Sequence, residues 1–351
     1  MKKFILFVVS ILVIPFLLCL GFSLFSDNIR IGQGGNSLEN KLMGKEVLIE
    51  MNGLYKSMDV EEYVLGILPG TIPADYDIET LKVQAILIRT NVLKEMQENN
   101  TSDAADLSYQ YLTVEDRMAL WGEKNYEKYA DRFEQAVVAT AGMVVEQEDS
   151  LIMALYHEVS IGKTASAKEI LGEDISYLQS VESSQDVEAK HYMNLVTYTW
   201  QEFRELAGNE EQTGEEASQE AQTEDSAKSK EADGEKQQTD SGTSTETAVQ
   251  KIPVSVEEST ENGFVKKLSV NGTIYTGEKA MQKFSLASAN FYVEEIDNGI
   301  RFVCLGKGSC LGVSQYGANR MALEGKKAEA IIKYYYKGVS VRQMETVTGI
   351  G

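Results

Sequence analysis

A chain of 351 residues with 43% apolar content can bury one large core or two ordinary ones. Its formal charge of -21 argues against nucleic acid and anionic membrane surfaces as partners. Three cysteines, at 19, 304 and 310, make no disulfide framework, and two scattered histidines, His157 and His191, make no zinc site, so neither a metal nor a cofactor is expected.

The chain begins with Lys2 and Lys3 and then an uncharged apolar run over residues 4–25. About 20 such residues suffice to cross a bilayer core. Positive charge ahead of the run predicts a cytoplasmic N-terminus and an exported body. The competing reading is a cleaved signal peptide; the length of the run and the lack of a small-x-small cleavage pattern favour an uncleaved anchor. Residues 1–25 are thus read as the anchor and the polar, glycine-containing 26–44 as a stalk.

Residues 46–51 (EVLIEM) and 54–58 flank Asn52-Gly53, a hairpin signal. The stretch 59–90 follows, and the rest of the chain is organised around it. Its first part, 60–68, is short and amphipathic. Pro69, Gly70 and Pro73 force a turn or loop. A strong helix over 78–93 then places Ile78, Leu81, Ala85, Ile88 and Val92 at spacings of three and four, with Asp77 as its cap. A loop held between two helices suits a reactive group, and Thr71 occupies its tip.

Residues 97–106 read as a loop. Structure resumes at 118–121, and a helix is expected at 126–141, ended by Gly142. Residues 143–146 and 152–156 read as short strands, followed by a polar loop, 156–164, that carries His157. A structural histidine is the alternative reading there. Residues 177–183 read as extended, 195–200 as a strand and 201–206 as the start of a helix.

Composition then changes. Between Gly208 and Ala248 there is no Phe, Trp, Tyr, Ile, Leu, Met or Val. Twelve acids against three lysines give this insert -9 of the total -21. Such a segment cannot bury enough apolar surface to fold and is expected to be disordered. Beyond it, strands are expected at 252–256, 265–270, 290–294 and 300–304, with a second hairpin signal at Asn271-Gly272 and a short helix at 279–286. The glycine-rich 306–317 (GKGSCLGVSQYG) lacks a P-loop or dinucleotide fingerprint. Helices over 315–324 and 328–336 close the chain, the last bearing Tyr334, Tyr335 and Tyr336. These three are read either as core and rim packing or as a stacking surface for sugar rings.

Several pieces, in order, resemble the stage II sporulation protein D (SpoIID) family, whose domain is shared with the amidase enhancer LytB. They are Glu62-Tyr63-Val64 with Gly66; Pro73; Leu81-Lys82-x-Gln84-Ala85 with Arg89-Thr90; Tyr156-His157 with Gly162-x-Thr164; Tyr177-Leu178-x-Ser180-Val181; and Ser314-Gln315-Tyr316-Gly317-Ala318 with Met321-Ala322, Gly325 and Tyr335-Tyr336. The resemblance implies an α+β extracytoplasmic domain of short strands and helices in two parts, 45–207 and 251–345, split by the insert at 208–250. It also implies a bacterial envelope setting and peptidoglycan glycan strands as the substrate. A cell-wall amidase and other engulfment proteins are the implied partners.

Active members look like lytic transglycosylases, which need a general acid to protonate the glycosidic oxygen. The resemblance implies a glutamate before Ile72-Pro73, where this chain has Thr71. Glu158 is the substitute candidate, with Asp75 and Glu79 behind it. Arg89, Tyr156, His157, Ser314, Gln315 and Tyr316 match positions implied to bind the glycan. The family's Gly-His-Gly-x-Gly pattern is here Gly308-Ser309-Cys310-Leu311-Gly312, and no cysteine follows Tyr156-His157 to bind metal. Three readings follow: a glycan binder with weak or no cleavage, an active transglycosylase with another acid, or an amidase activator.

Overall fold

The computed structural model describes residue 38 and residues 41–51, 53–208 and 251–344. The expected anchor (1–25), most of the expected stalk (26–44) and nearly all of the acidic insert lie outside the described residues. No helix among the described residues is long and apolar enough to cross a membrane. The fold is a mixed α+β arrangement of five small sheets and short helices around one long central helix.

Strands β1 (Glu46–Met51) and β2 (Leu54–Asp59) form the expected hairpin, paired from Glu46↔Asp59 to Met51↔Leu54. Asp59 then caps α1 (Val60–Ile67) by accepting from Glu61 N at 2.9 Å. A single 3₁₀ turn, Leu68–Gly70, follows with Pro69 at its start. Helix α2 (Ile78–Glu98) begins as the sequence predicts, with Asp77 accepting from Glu79 N at 2.8 Å.

The sequence shows one apolar face on α2; the structure buries two. Leu81, Ala85, Ile88 and Val92 pack against α1 and against α4 (Glu123–Ala139), in a core that also takes in Tyr63, Ile67, Phe133 and Val137. Val83, Ile86 and Leu87 face a second core with α8 (Gln315–Leu323) and α9 (Ala328–Tyr335). A helix sandwiched between two layers needs no polar face. Helix α3 (Val114–Trp121) starts four residues earlier than expected because Thr113 and Asp116 form a capping box.

Strand β3 (Met143–Gln147) pairs with β4 (Ser150–Leu151) and with β13 (Ser340–Gln343). The strand expected at 152–156 does not form. Ile152 and Ala154 go into the second core, and only Tyr156–His157 (β5) pairs, in parallel with Val313–Ser314 (β12). Residues 177–183 likewise form no strand beyond the bridge Lys163↔Glu182. Helix α5 (Ala167–Ile170) is a single turn capped by Ser166.

Residues 193–305 enclose a third core. Strand β6 (Met193–Thr199) and α6 (Trp200–Gly208) lead into β7 (Val254–Ser259), β8 (Val265–Val270), β9 (Thr273–Tyr275), α7 (Gly277–Lys283), β10 (Phe291–Ile296) and β11 (Gly299–Leu305). The sheets run β10-β11-β6 and β7-β8-β9. Phe203, Phe284 and Phe302 interlock at ring distances of 5.2–5.9 Å. Asn271 and Gly272 have φ of 50° and 85°, the geometry their hairpin turn demands. The chain enters and leaves this module at one place, where Met193 pairs with Leu305 and Gly306 N donates to Tyr192 O at 2.7 Å.

Candidate functional site

The loop between α1 and α2 is rigid because both chain halves hold it. Thr71 ends the 3₁₀ turn. Its N–H and its hydroxyl both donate to Leu68 O, at 3.1 and 2.9 Å. Gln84, the seventh residue of α2, donates to Thr71 Oγ1 at 3.4 Å, and Gln315 donates to Thr71 O at 2.7 Å. Asn319 Oδ1, one turn after Gln315, accepts from Asp77 N at 2.7 Å. Helix α8 therefore grips both ends of the loop from 244 residues away. Ser314 is the cap that starts α8, accepting from Gly317 N at 3.2 Å, and is fully buried. Gly317 is required there: a Cβ would lie 2.2 Å from both Ser183 Oγ and Tyr335 OH.

The polar line continues inward from Gln84. Tyr156 hydrogen-bonds Gln84 and Tyr109, and Tyr109 OH accepts from Asn91 Nδ2 at 2.8 Å. Burial raises the Tyr156 phenol above its ordinary range, and those two bonds oppose it. On the open side stand Tyr76, Tyr316 and Glu158. Burial, reinforced by the Glu158 and Asp75 carboxylates, pushes the Tyr76 phenol up to about 12. Tyr316 N donates to Glu158 O at 3.1 Å. Glu158 Oε2 lies 2.6 Å from Lys307 Nζ, so this carboxylate is paired with a cation. Glu79, a further substitute, is also engaged. It takes Lys82 at 2.9 Å and caps α9 through Ala328 N at 3.0 Å.

His157 is buried rather than presented. Its Nδ1 donates to Leu311 O at 3.0 Å, which leaves Nε2 as a lone-pair acceptor with no partner. Asp186, also fully buried, accepts from Ser160 N at 2.7 Å through Oδ2, and its Oδ1 is unpartnered as well. Burial holds His157 below the ordinary histidine range, opposed by the Leu311 bond and the Asp186 charge. Burial and then Asp186 push the Cys310 thiol up to about 12; Cys304 and Cys310 are both free and buried. Among the described residues no group of three His, Cys, Asp or Glu side chains could hold a metal ion.

Arg89 is not presented at the surface. It has no exposed surface and forms a bidentate pair with Glu61, Nε to Oε1 at 2.8 Å and the second nitrogen to Oε2 at 2.6 Å. It also donates to Met143 O at 3.1 Å, and Gly142 N donates to Glu61 Oε1 at 2.8 Å. The tyrosine run is packing, not a stacking platform: Tyr335 and Tyr336 are buried, Tyr335 OH meets Ser183 Oγ at 3.0 Å, Tyr336 OH donates to Leu155 O, and only Tyr334 reaches solvent. Of the site residues expected from sequence, Thr71, Tyr156, Glu158, Gln315 and Tyr316 come together; Arg89, His157 and Ser314 lie beneath them. Tyr76, Asp186 and Asn319 are additions. Asn319 was readable as the residue one helical turn after Gln315; nothing in the sequence marked Asp186.

A family model described as "Stage II sporulation protein" matches residues 50–146, which span Thr71, Gln84 and the Glu61–Arg89 pair. The chain is 27% identical over 321 residues to "Stage II sporulation protein D" of Bacillus subtilis (strain 168), covering 89% of this chain and 83% of that protein. It is 26% identical over 303 residues to the protein of the same name from Bacillus amyloliquefaciens, covering 84% and 77%. Over most of its length the chain is similar to stage II sporulation protein D. It is also 23% identical over 303 residues to the "Amidase enhancer" of Bacillus subtilis (strain 168), covering 79% of this chain and 40% of that protein. These similarities support a role in sporulation and the cell wall. At such identities each site residue has to be judged on its own geometry.

Proposed function

We propose that this is a membrane-anchored protein of the bacterial cell envelope that binds denuded peptidoglycan glycan strands and cleaves them weakly or not at all. One observation carries the reading. At the loop tip, where the family resemblance implies a glutamate, Thr71 turns its hydroxyl back onto Leu68 O. A threonine hydroxyl cannot protonate a glycosidic oxygen at neutral pH. The surrounding frame is intact: Gln84 and Gln315 converge on residue 71, and Tyr156, Tyr76 and Tyr316 stand beside it. Half-buried tyrosines with polar tips suit the apolar faces and hydroxyls of sugar rings. The N-terminal apolar run, residues 4–25, supplies the anchor and the extracytoplasmic placement of the body.

The test is direct. The full chain and its Thr71→Glu variant are incubated with denuded glycan strands, and co-sedimentation and anhydro-muramyl ends are measured. Binding without ends for the natural chain, with ends appearing for Thr71→Glu, is the expected result. Anhydro ends from the natural chain, lost on Glu158→Gln, would establish instead a transglycosylase with another acid. Engagement of Glu158 by Lys307 disfavours that outcome. A second reading, activation of a partner amidase, is favoured by the relative named amidase enhancer. It predicts no glycan co-sedimentation but a faster amidase in the presence of the chain.

A further inference from the structure

A cavity of about 230 Å³ opens between the β1–β2 hairpin and the loop that follows α2. Four tyrosines line it, Tyr55, Tyr63, Tyr109 and Tyr111, together with the carboxylates Glu50 and Asp103. Contacts distant in sequence fix its walls. Leu48 N donates to Ser102 O at 2.7 Å, and Leu48 bridges Asp103, which ties the loop to the free edge of β1. Tyr63 OH donates to Tyr109 O at 3.2 Å. The Tyr63 and Tyr111 rings stack at 6.1 Å with 9° between their planes. Tyr111 lies there because residue 66 is a glycine: a Cβ would meet its ring at 2.0 Å. Glu50 and Tyr55 are direct cross-strand partners on the hairpin, and Tyr55 is 65% exposed, so a ligand reaches the cavity from solvent on that side.

We infer that this cavity binds an organic ammonium head group, a quaternary ammonium or a primary amine. Aromatic rings attract a cation placed over their faces, and more strongly where water is partly excluded. The charge of the lining has one sign. Its two charged side chains are both acids, and no Lys or Arg lines the cavity. Asp103 accepts from Ala105 N at 3.0 Å, which orients the carboxylate without cancelling its charge.

The surroundings keep that sign. Burial and then the Glu95 carboxylate push the Tyr63 phenol up to about 12. Burial also raises the Tyr111 phenol, opposed by Arg117 and reinforced by Glu62. Glu50, Asp103, Glu62 and Glu95 thus outnumber the neighbouring cations, Arg117 and the Lys56 that follows Tyr55 in β2. A neutral visitor would desolvate the lining carboxylates without giving them a partner, and an anion would be repelled, so a cation is the class this lining selects. The cavity and the line of residues reaching Thr71 share only Tyr109, whose hydroxyl turns away to accept from Asn91 Nδ2 at 2.8 Å. The inference therefore stands apart from glycan binding at the Thr71 loop.

Calorimetric titration of the full chain tests it, in an uncharged maltoside detergent that offers no ammonium group to compete. The probes are choline, butylamine and dimethylbutanol, the last being the uncharged carbon analogue of choline. Choline, butylamine or both should bind, and dimethylbutanol at least about ten-fold more weakly. Which of the two cations binds tells a quaternary from a primary head group. Tyr55→Leu and Glu50→Gln should each weaken cation binding about two- to five-fold, while Tyr55→Phe, which keeps the ring face, should leave it unchanged. Both positions are exposed, so these variants keep the fold, which near-UV circular dichroism checks. No binding of either cation, equal binding of dimethylbutanol, or cation binding that either Tyr55→Leu or Glu50→Gln leaves unchanged would each overturn the inference.

Discussion

Two centres bury charged or titratable groups at equal depth and treat them differently. Glu61 and Arg89 satisfy each other through two charge-assisted bonds, and the remaining capacity goes to Gly142 N and Met143 O. His157 and Asp186 each keep one polar atom unpartnered. The first centre joins α1, α2 and the start of β3, and its closure is what a purely structural role requires. The second lies next in sequence to the partly exposed Tyr156 and Glu158. The two centres therefore differ in how completely their buried polar atoms are bonded.

The largest expected effect sharpens this contrast. Arg89→Met leaves the Glu61 carboxylate buried and alone, which costs about 3–5 kcal/mol. Denaturant midpoints should show it, and the Glu61→Met/Arg89→Met pair should recover most of the loss, since an apolar pair of similar volume is close to neutral. A loss under 1 kcal/mol for the single change would remove the distinction between the two centres.

The contrast also explains what the sequence made legible. Periodicity gave α2 its first face and its Asp77 cap, and Asn271-Gly272 gave its hairpin, because each rests on local chemistry. The second face of α2 was hidden: its Val83, Ile86 and Leu87 meet α8 and α9, more than 200 residues away in sequence. Arg89 reads as a glycan-binding position because an arginine in a matched motif carries no mark of burial; its partner Glu61 stands in an acidic run that reads as a solvated helix start. Thr71 and Gln315 were legible as motif positions, but their 2.7 Å contact was not. Strand 152–156 failed because an apolar run can be consumed by a core without pairing.

Next in size is Asp186→Ala. It strands the buried Ser160 N–H, for about 1–3 kcal/mol. That is smaller than the Arg89 effect because only one bond is lost and Oδ1 had none to lose. Acid then separates the centres further. His157 is held below its ordinary value of 6.5, so the unfolded chain takes up the proton first and stability falls as pH drops below about 6.5. One proton sets a ceiling of about 1.4 kcal/mol per pH unit. The slope should vanish in His157→Gln and persist in the Glu61→Met/Arg89→Met protein. Glu79, lowered on balance by Lys82 and Ala328 against its burial, adds a further loss only at more acidic pH, below the ordinary 4.5.

The smallest effect tests the edge of the second centre. Tyr335 OH and Ser183 Oγ bond at 3.0 Å beside Gly317, at the point where a Cβ on Gly317 would also come within 2.9 Å of Asp186 Oδ1. Tyr335→Phe keeps the ring in its core and removes one neutral hydrogen bond, a change of about 0.5–1.5 kcal/mol. Combined with Asp186→Ala it should be non-additive if Ser183, Tyr335 and Asp186 act as one network. Strict additivity, measured as matching shifts in denaturant midpoint, would confine the centre to His157, Asp186 and Ser160 and leave the tyrosine as packing.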